Sequence, residues 1–121
     1  MSFHVLLVDD DELVRRSVAR NLEFRKYGVT ACASGPEALD VLAQRDVDVV
    51  LSDVWMPEMD GLRLLEIIKE RRPNLPVVLF TGNAIAEYET RARALGAVEL
   101  LAKPLTPERL ELALRRAVGA D

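Results

Sequence analysis

Short, almost wholly apolar runs alternate along this 121-residue chain with longer segments whose apolar residues recur every three or four positions. That alternation limits the fold more than any single motif does. The runs Phe3–Asp9, Val29–Ala33, Val47–Asp53, Val77–Thr81 and Val98–Leu101 are strand-sized and bounded by Gly, Pro, Asp or Asn. Following them in turn, Leu13/Val14/Val18/Leu22, Ala38/Leu42, Leu64/Leu65/Ile68, Ile85/Tyr88/Ala92/Leu95 and Leu110/Ala113/Leu114/Ala117 give each of five helices one apolar stripe. Two helix starts are chemically marked. Ser34-Gly35-Pro36-Glu37 reads as a capping box, and Thr106-Pro107 as an N-cap followed by proline at the first helical position. Gly28 and Gly96 are expected to stop helices.

Near-continuous apolar runs in the first, third and fourth strands predict burial on both faces, as in a parallel sheet covered by helices on each side. The more polar Val29–Ala33 and the short Val98–Leu101 suit sheet edges. The expected fold is therefore a three-layer, doubly wound α/β domain over residues 1–121, with five parallel strands in the flavodoxin-like order 2-1-3-4-5 and five helices. In open sheets of this kind ligands bind beyond the carboxyl ends of the strands, where the strand order reverses.

Composition narrows the function. Half of the residues are hydrophobic, enough for a core that needs no disulfide or metal staple. Cys32 is the single cysteine and cannot form an internal disulfide, and no basic stretch leads into a long apolar run at the N-terminus, so the cytoplasm is the expected compartment. The longest apolar runs, such as Val5–Val8 and Val77–Phe80, are too short to span a bilayer. A net charge of −4, with both signs interleaved, argues against direct nucleic-acid contact by this domain.

What stands at the carboxyl ends of the strands is chemically specific. The first strand ends in Asp9-Asp10-Asp11-Glu12, the third in Asp53, the fourth in Thr81, and Lys103-Pro104 follows the fifth. Acidic residues at a helix start are favoured by its dipole and free amides, which accounts for Asp11 and Glu12 without a site. In the expected order, however, strands one and three are neighbours, so Asp9, Asp10 and Asp53 should converge. Like charges that close either raise a carboxylate pKa or recruit a cation, and hard oxygen ligands suit Mg²⁺. A metal, Lys103 and Thr81 beside Asp53 could together accommodate a phosphoryl group, and an aspartate oxygen can attack phosphorus to give an aspartyl phosphate.

Val8-Asp9-Asp10-Asp11, Ser52-Asp53-Val54-Trp55-Met56-Pro57 followed by Asp60-Gly61, Thr81-Gly82, and Lys103-Pro104 together resemble the receiver domain of two-component response regulators, over almost the whole chain. Each motif alone is weak, whereas all of them in order, each at a strand end, are specific. The resemblance implies a signalling domain that is phosphorylated rather than an enzyme acting on outside substrates. Asp53 would accept the phosphoryl group from a phosphohistidine of a sensor histidine kinase or histidine phosphotransfer protein. Asp10 and Asp53 would bind Mg²⁺, with Mn²⁺ as a substitute, Asp9 would act mainly through water, and Trp55 would contribute its backbone carbonyl. Thr81 and Lys103 would contact the phosphoryl oxygens, and the Lys103-Pro104 bond would be cis. The domain would promote its own phosphorylation and dephosphorylation and switch conformation to control an effector domain or protein through its fourth helix, fifth strand and fifth helix. Whether phosphorylation also drives homodimerisation is left open by the residues.

Other readings fare less well. A flavodoxin needs a hydroxyl- and glycine-rich phosphate loop where this chain has consecutive acids. A haloacid-dehalogenase-type phosphatase has a second aspartate where this chain has Trp55, and no Walker-type loop is present. A phosphate-independent docking module of the same fold is the alternative, although such modules usually lose an acid and none is missing here. Two departures from the receiver pattern concern the switch. Leu100 stands where receivers commonly have Tyr or Phe, which shifts the expected switching to Thr81 and the sparsely apolar helix after it. Trp55 either limits water at the site or lies along the surface. His4, Cys32 and Arg71-Arg72-Pro73 read as structural, and Gly61 as permitting a backbone turn.

Overall fold

The structure, a computed structural model, describes residues 3–82 and 86–119. Strands β1 (His4–Val8), β2 (Gly28–Cys32), β3 (Val49–Asp53), β4 (Val77–Thr81) and β5 (Glu99–Ala102) pair in parallel in the order 2-1-3-4-5. Helices α1 (Glu12–Phe24), α2 (Gly35–Gln44), α3 (Gly61–Arg71), α4 (Ala86–Ala94) and α5 (Pro107–Val118) alternate with them. This is the expected doubly wound α/β sheet.

The two-residue period of the central strands divides the core in two. Val5, Leu7, Val49, Leu51, Val78 and Phe80 face α1 and α5, where they meet Val18, Leu22, Leu110, Ala113 and Leu114. Leu6, Val8, Val50, Val77 and Leu79 face the opposite way, against Ala38, Leu42, Leu64, Leu65, Ile68 and Ala92 of α2, α3 and α4. Each such Leu or Val contributes about 1.5–3 kcal/mol relative to its exposed state, which favours apolar residues at every position of these strands up to their last turn toward the site. The edge strand β2 is half-covered along most of its length, in keeping with its mixed composition.

Side-chain caps fix where the helices begin. Asp11 Oδ1 accepts the N–H groups of Leu13 and Val14 at 3.0 and 3.3 Å, and Asp60 Oδ1 that of Arg63 at 2.9 Å. Ser34 Oγ accepts Glu37 N–H at 3.3 Å, and Thr106 Oγ1 accepts Arg109 N–H at 3.2 Å. Each cap stabilises its helix by about 1 kcal/mol. The Ser34–Glu37 box closes differently from expectation, because the Glu37 carboxylate meets the Ser34 hydroxyl at 3.4 Å.

Several sequence expectations are corrected. Leu13 is 79% exposed, since the Asp11 cap orients α1 so that Val14, Val18 and Leu22, one turn apart, face the sheet. Gly28 does not stop α1. The helix ends at Phe24 with Arg25 as its C-cap, Lys26 takes the left-handed conformation with φ 74°, and Gly28 opens β2 opposite His4, where a Cβ would lie 2.5 Å from His4 Nδ1. Gly96, with φ 103°, does follow the end of α4. The first and third strands are shorter than expected because Phe3 turns aside to stack on Tyr27, Asp9 bends into the site, and Asp48 binds the His4 N–H through its side chain. The second and fifth strands each shift by one residue, to Gly28–Cys32 and Glu99–Ala102. Tyr88, Ala92 and Leu95 of the fourth stripe face the core, and Ile85 lies outside the described residues. Among the described residues, no helix is long and apolar enough to cross a membrane.

Candidate functional site

Strand register brings the acids together. Val8 of β1 pairs with Ser52 of β3, so Asp9 and Asp53, one residue further along, leave adjacent strands side by side. Asp9 is fully buried and held on three sides. Its N–H donates to Cys32 carbonyl at 3.1 Å, its carbonyl accepts from Arg15 Nη1 at 2.8 Å, and its Oδ1 accepts the Asp11 N–H at 2.9 Å. Asp9 Oδ2, among the described residues, is buried without a hydrogen-bond partner. Asp53 is 5% exposed; its Oδ1 accepts the Trp55 N–H at 3.1 Å and its Oδ2 accepts from Lys103 Nζ at 3.2 Å. Asp10 is exposed, and one carboxylate oxygen from each of Asp9, Asp10 and Asp53 lies within 4.8 Å of the others.

Burial pushes the Asp9 carboxyl up to about 6, and the negative charges of Asp53 and Asp10 push the same way, while the Asp11 N–H and Lys103 act against them. Three converging carboxylates with one buried oxygen unpartnered, and no His or Cys among them, make a donor set suited to a small hard divalent cation.

Lys103 enters from the other side of the strand ends. Its N–H donates to Thr81 carbonyl at 2.8 Å, and its peptide bond to Pro104 is cis. Its Nζ lies 4.0 Å from Asp9 Oδ2 and 5.2 Å from the centre of the Phe80 ring, over which it sits. Thr81 is buried at the end of β4, two strands across from Asp9. The sequence-predicted Asp9, Asp10, Asp53, Thr81 and Lys103 thus stand together at the carboxyl edge of the sheet.

The loop after β3 is shaped by a close approach. A Cβ on Gly61 would lie 2.3 Å from the Asp53 carbonyl, and the Gly61 N–H donates to Val54 carbonyl at 2.7 Å. The glycine permits the turn through its missing Cβ and not through a positive φ; the left-handed residue of this loop is Glu58, with φ 68°. Trp55 lies along the surface, 49% exposed, with its ring edge-on to Tyr88 of α4 at a centroid distance of 5.2 Å. Leu100 is half-buried against the α3–α4 side of the core.

Residues expected to be structural are so. His4 Nε2 and Thr30 Oγ1 are hydrogen-bonded at 2.7 Å, far from the acidic edge. Burial pushes the Cys32 thiol up to about 12. Arg72 ends α3 and binds Asp46 at 2.8 Å and the Leu42 carbonyl. Sequence reasoning missed Arg15, Phe80 and Tyr88 as neighbours of the site. Their roles depend on helix orientation and on which strand face a side chain takes at the last turn, and no local motif carries either.

Comparison with known proteins agrees with this geometry. A family model of the response regulator receiver domain matches residues 5–115. The C4-dicarboxylate transport transcriptional regulatory protein DctD of Rhizobium meliloti is 38% identical over 113 residues, 93% of this chain and 25% of that protein. The sensor histidine kinase RcsC of Salmonella typhi is 41% identical over 110 residues, 91% of this chain and 12% of that protein. The chain spans about a quarter or less of the length of these relatives. The crystal structure of chemotaxis protein CheY4 of Vibrio cholerae superposes with a TM-score of 0.92 at 32% identity, covering 97% of this chain and 99% of that one. With the fold, the acidic edge and the family match in agreement over residues 5–115, this chain belongs to the response regulator receiver domains of two-component signalling.

Proposed function

We propose that residues 1–121 form one phosphorylation-activated receiver domain in which Asp53 is the phosphoacceptor. The observation that carries this reading is the pairing of Lys103 Nζ with Asp53 Oδ2 at 3.2 Å beside the buried Asp9 Oδ2, which among the described residues has no hydrogen-bond partner. An Asp53 carboxylate oxygen attacks the phosphorus of a phosphohistidine; the new O–P bond forms as the P–N bond breaks, and its electron pair returns to the imidazole nitrogen. The lysine ammonium, already at the carboxylate, then pairs with a phosphoryl oxygen, and the Thr81 hydroxyl contacts another. Asp9, acting mainly through water, Asp10, Asp53 and the backbone carbonyl of Trp55 would hold Mg²⁺, or Mn²⁺ in its place. When bound, the ion supplies positive charge that offsets repulsion between the phosphoryl oxygens and the carboxylates. Hydrolysis of the acyl phosphate by water at the same site returns Asp53 to its starting form, so the domain turns over its own phosphoryl group and no outside substrate.

A sensor histidine kinase or a histidine phosphotransfer protein is the donor, and an effector domain or protein is the recipient of the conformational change. The similarity to segments of a protein named as a transcriptional regulator and of one named as a sensor histidine kinase supports both partners. The domain itself makes no direct nucleic-acid contact, in line with its net charge of −4. A cytoplasmic setting suits the single, buried, free cysteine.

The test is incubation with acetyl phosphate, with and without Mg²⁺, followed by intact mass alongside Asp53→Asn, with the emission of Trp55 recorded in parallel. One Mg²⁺-dependent phosphoryl adduct, lost in Asp53→Asn, is the expected result. A folded, Mg²⁺-binding protein that gains no adduct from acetyl phosphate or from any histidine kinase tried would replace the reading with a phosphate-independent docking module.

A further inference from the structure

Residue 55 belongs to the acidic site through its backbone and leaves it through its side chain. The N–H of Trp55 donates to Asp53 Oδ1 at 3.1 Å, and its carbonyl is the main-chain oxygen assigned above to the cation. Its indole, 49% exposed, instead meets the ring of Tyr88 edge-on, with centroids 5.2 Å apart and planes at 75°. Tyr88 is half-buried against the core and sits on α4, whose described residues include one fully buried side chain, Ala92. A helix held by so few apolar groups is easily displaced, and one of those groups rests on the loop that carries the neighbour of Asp53. On β5 the aliphatic Leu100 offers no ring, and among the described residues the aromatic pair is a contact that joins α4 to this loop.

We infer that Tyr88 is a positioning residue that couples α4 to the acidic site through the indole of Trp55. Holding the indole restrains residue 55, and with it both the N–H on Asp53 and the carbonyl offered to the cation. The coupling is reciprocal: whatever orders residue 55 from the site side also secures Tyr88 and α4. An edge-to-face aromatic pair beyond its buried area corresponds to about a 2- to 10-fold effect on an equilibrium constant, which sets the size of the expected change. The inference rests on the proposed Mg²⁺ site and is tested by binding, without phosphorylation.

The experiment is a double-mutant cycle in Mg²⁺ affinity, measured by calorimetry on the parent chain, Tyr88→Ala, Trp55→Ala and the double variant, with Tyr88→Phe as the conservative replacement. Amide hydrogen exchange over residues 86–94 is followed with and without Mg²⁺. The expected result is a loss of about 2- to 10-fold in affinity for either single alanine variant, no further loss in the double variant, and parent-like binding in Tyr88→Phe. Mg²⁺ should slow exchange in α4 of the parent and of Tyr88→Phe but not of Trp55→Ala, whose α4 sequence is intact. Full additivity of the two losses, parent-like affinity in Tyr88→Ala, or Mg²⁺-slowed exchange in Trp55→Ala overturns the coupling alone. A parent chain that binds no Mg²⁺ overturns the proposed site together with it.

Discussion

Lys103 and Asp53, fifty residues apart in the chain, meet through Nζ and Oδ2 at 3.2 Å, and the same ammonium stands 4.0 Å from Asp9 Oδ2. One cation therefore faces two buried carboxylates, and in the metal-free protein it offsets their charge together with the N–H groups of Asp11 and Trp55. Replacing Lys103 with Met keeps an unbranched apolar side chain at this position and removes the charge. Lys103→Met is expected to destabilise the metal-free protein by about 2 kcal/mol, less than for a fully buried pair because the lysine side chain is 28% exposed. Urea melts with and without Mg²⁺ check this: the ion should restore much of the loss, since it brings charge back to the same carboxylates, whereas phosphorylation by acetyl phosphate should remain slow.

Asp9 presents the opposite case, a charge whose removal helps the empty fold. Its Oδ2 is buried with no hydrogen bond, next to the carboxylate of Asp53. Asp9→Asn keeps the shape and the bond from Asp11 N–H while removing a repelling charge, so the metal-free variant should be more stable than the parent by about 1–3 kcal/mol. The same variant should bind Mg²⁺ more weakly. Equilibrium unfolding and calorimetry read the two effects separately, and a metal-free Asp9→Asn less stable than the parent would contradict the account.

Cys32 gives a pH dependence whose sign follows from burial. Its thiol, close under the Leu7 carbonyl at 3.7 Å, is pushed up from 9.0 to about 12. The unfolded chain ionises first, so the contribution is fully present below pH 9 and is lost as pH rises from 9 toward 12. Relative to Cys32→Ala, the parent should lose about 1.4 kcal/mol by pH 10, with Tyr27 cancelling because both proteins contain it. Thiol labelling at pH 8 should correspondingly be slow in the native state and fast in urea.

Much of this was legible in the sequence because strand burial and strand ends obey local rules. Val77–Thr81 reads as one strand with a polar last residue, and both its limits and its burial hold. Asp9, Asp10 and Asp53 could be placed together once β1 and β3 were taken as neighbours, since strand ends in a parallel sheet lie level. Orientation was harder. Leu13 and Val14 are adjacent and equally apolar, and only the cap geometry of Asp11 decides which one turns inward. Gly28 reads as a helix stop but opens β2 beside the His4 ring, while at Gly61 the turn depends on a close approach to backbone atoms that no single-residue preference reveals. The edge contact of Trp55 with Tyr88 joins a loop to a helix more than thirty positions away and has no sequence signal.

Gly61 therefore makes a sharp test of how the site is built. A methyl group there would lie 2.3 Å from the Asp53 carbonyl and 2.9 Å from Val54 Cα, both backbone atoms that cannot rotate away. Gly61→Ala must push the start of α3 off the end of β3, at an expected loss of about 1–3 kcal/mol in stability. Because one of the displaced atoms is the carbonyl oxygen of Asp53, the proposed phosphoacceptor, Mg²⁺ affinity and acetyl phosphate labelling should fall with stability, and the residual folded protein should still bind the ion poorly. Gly82→Ala is the control: it also borders the site, next to Thr81, but among the described residues the nearest atom its Cβ would meet is Lys103 Cδ at 3.9 Å. Chemical denaturation and Mg²⁺ titration of the two variants should separate them cleanly, and equal effects would mean that the close approach at Gly61 does not set the position of Asp53.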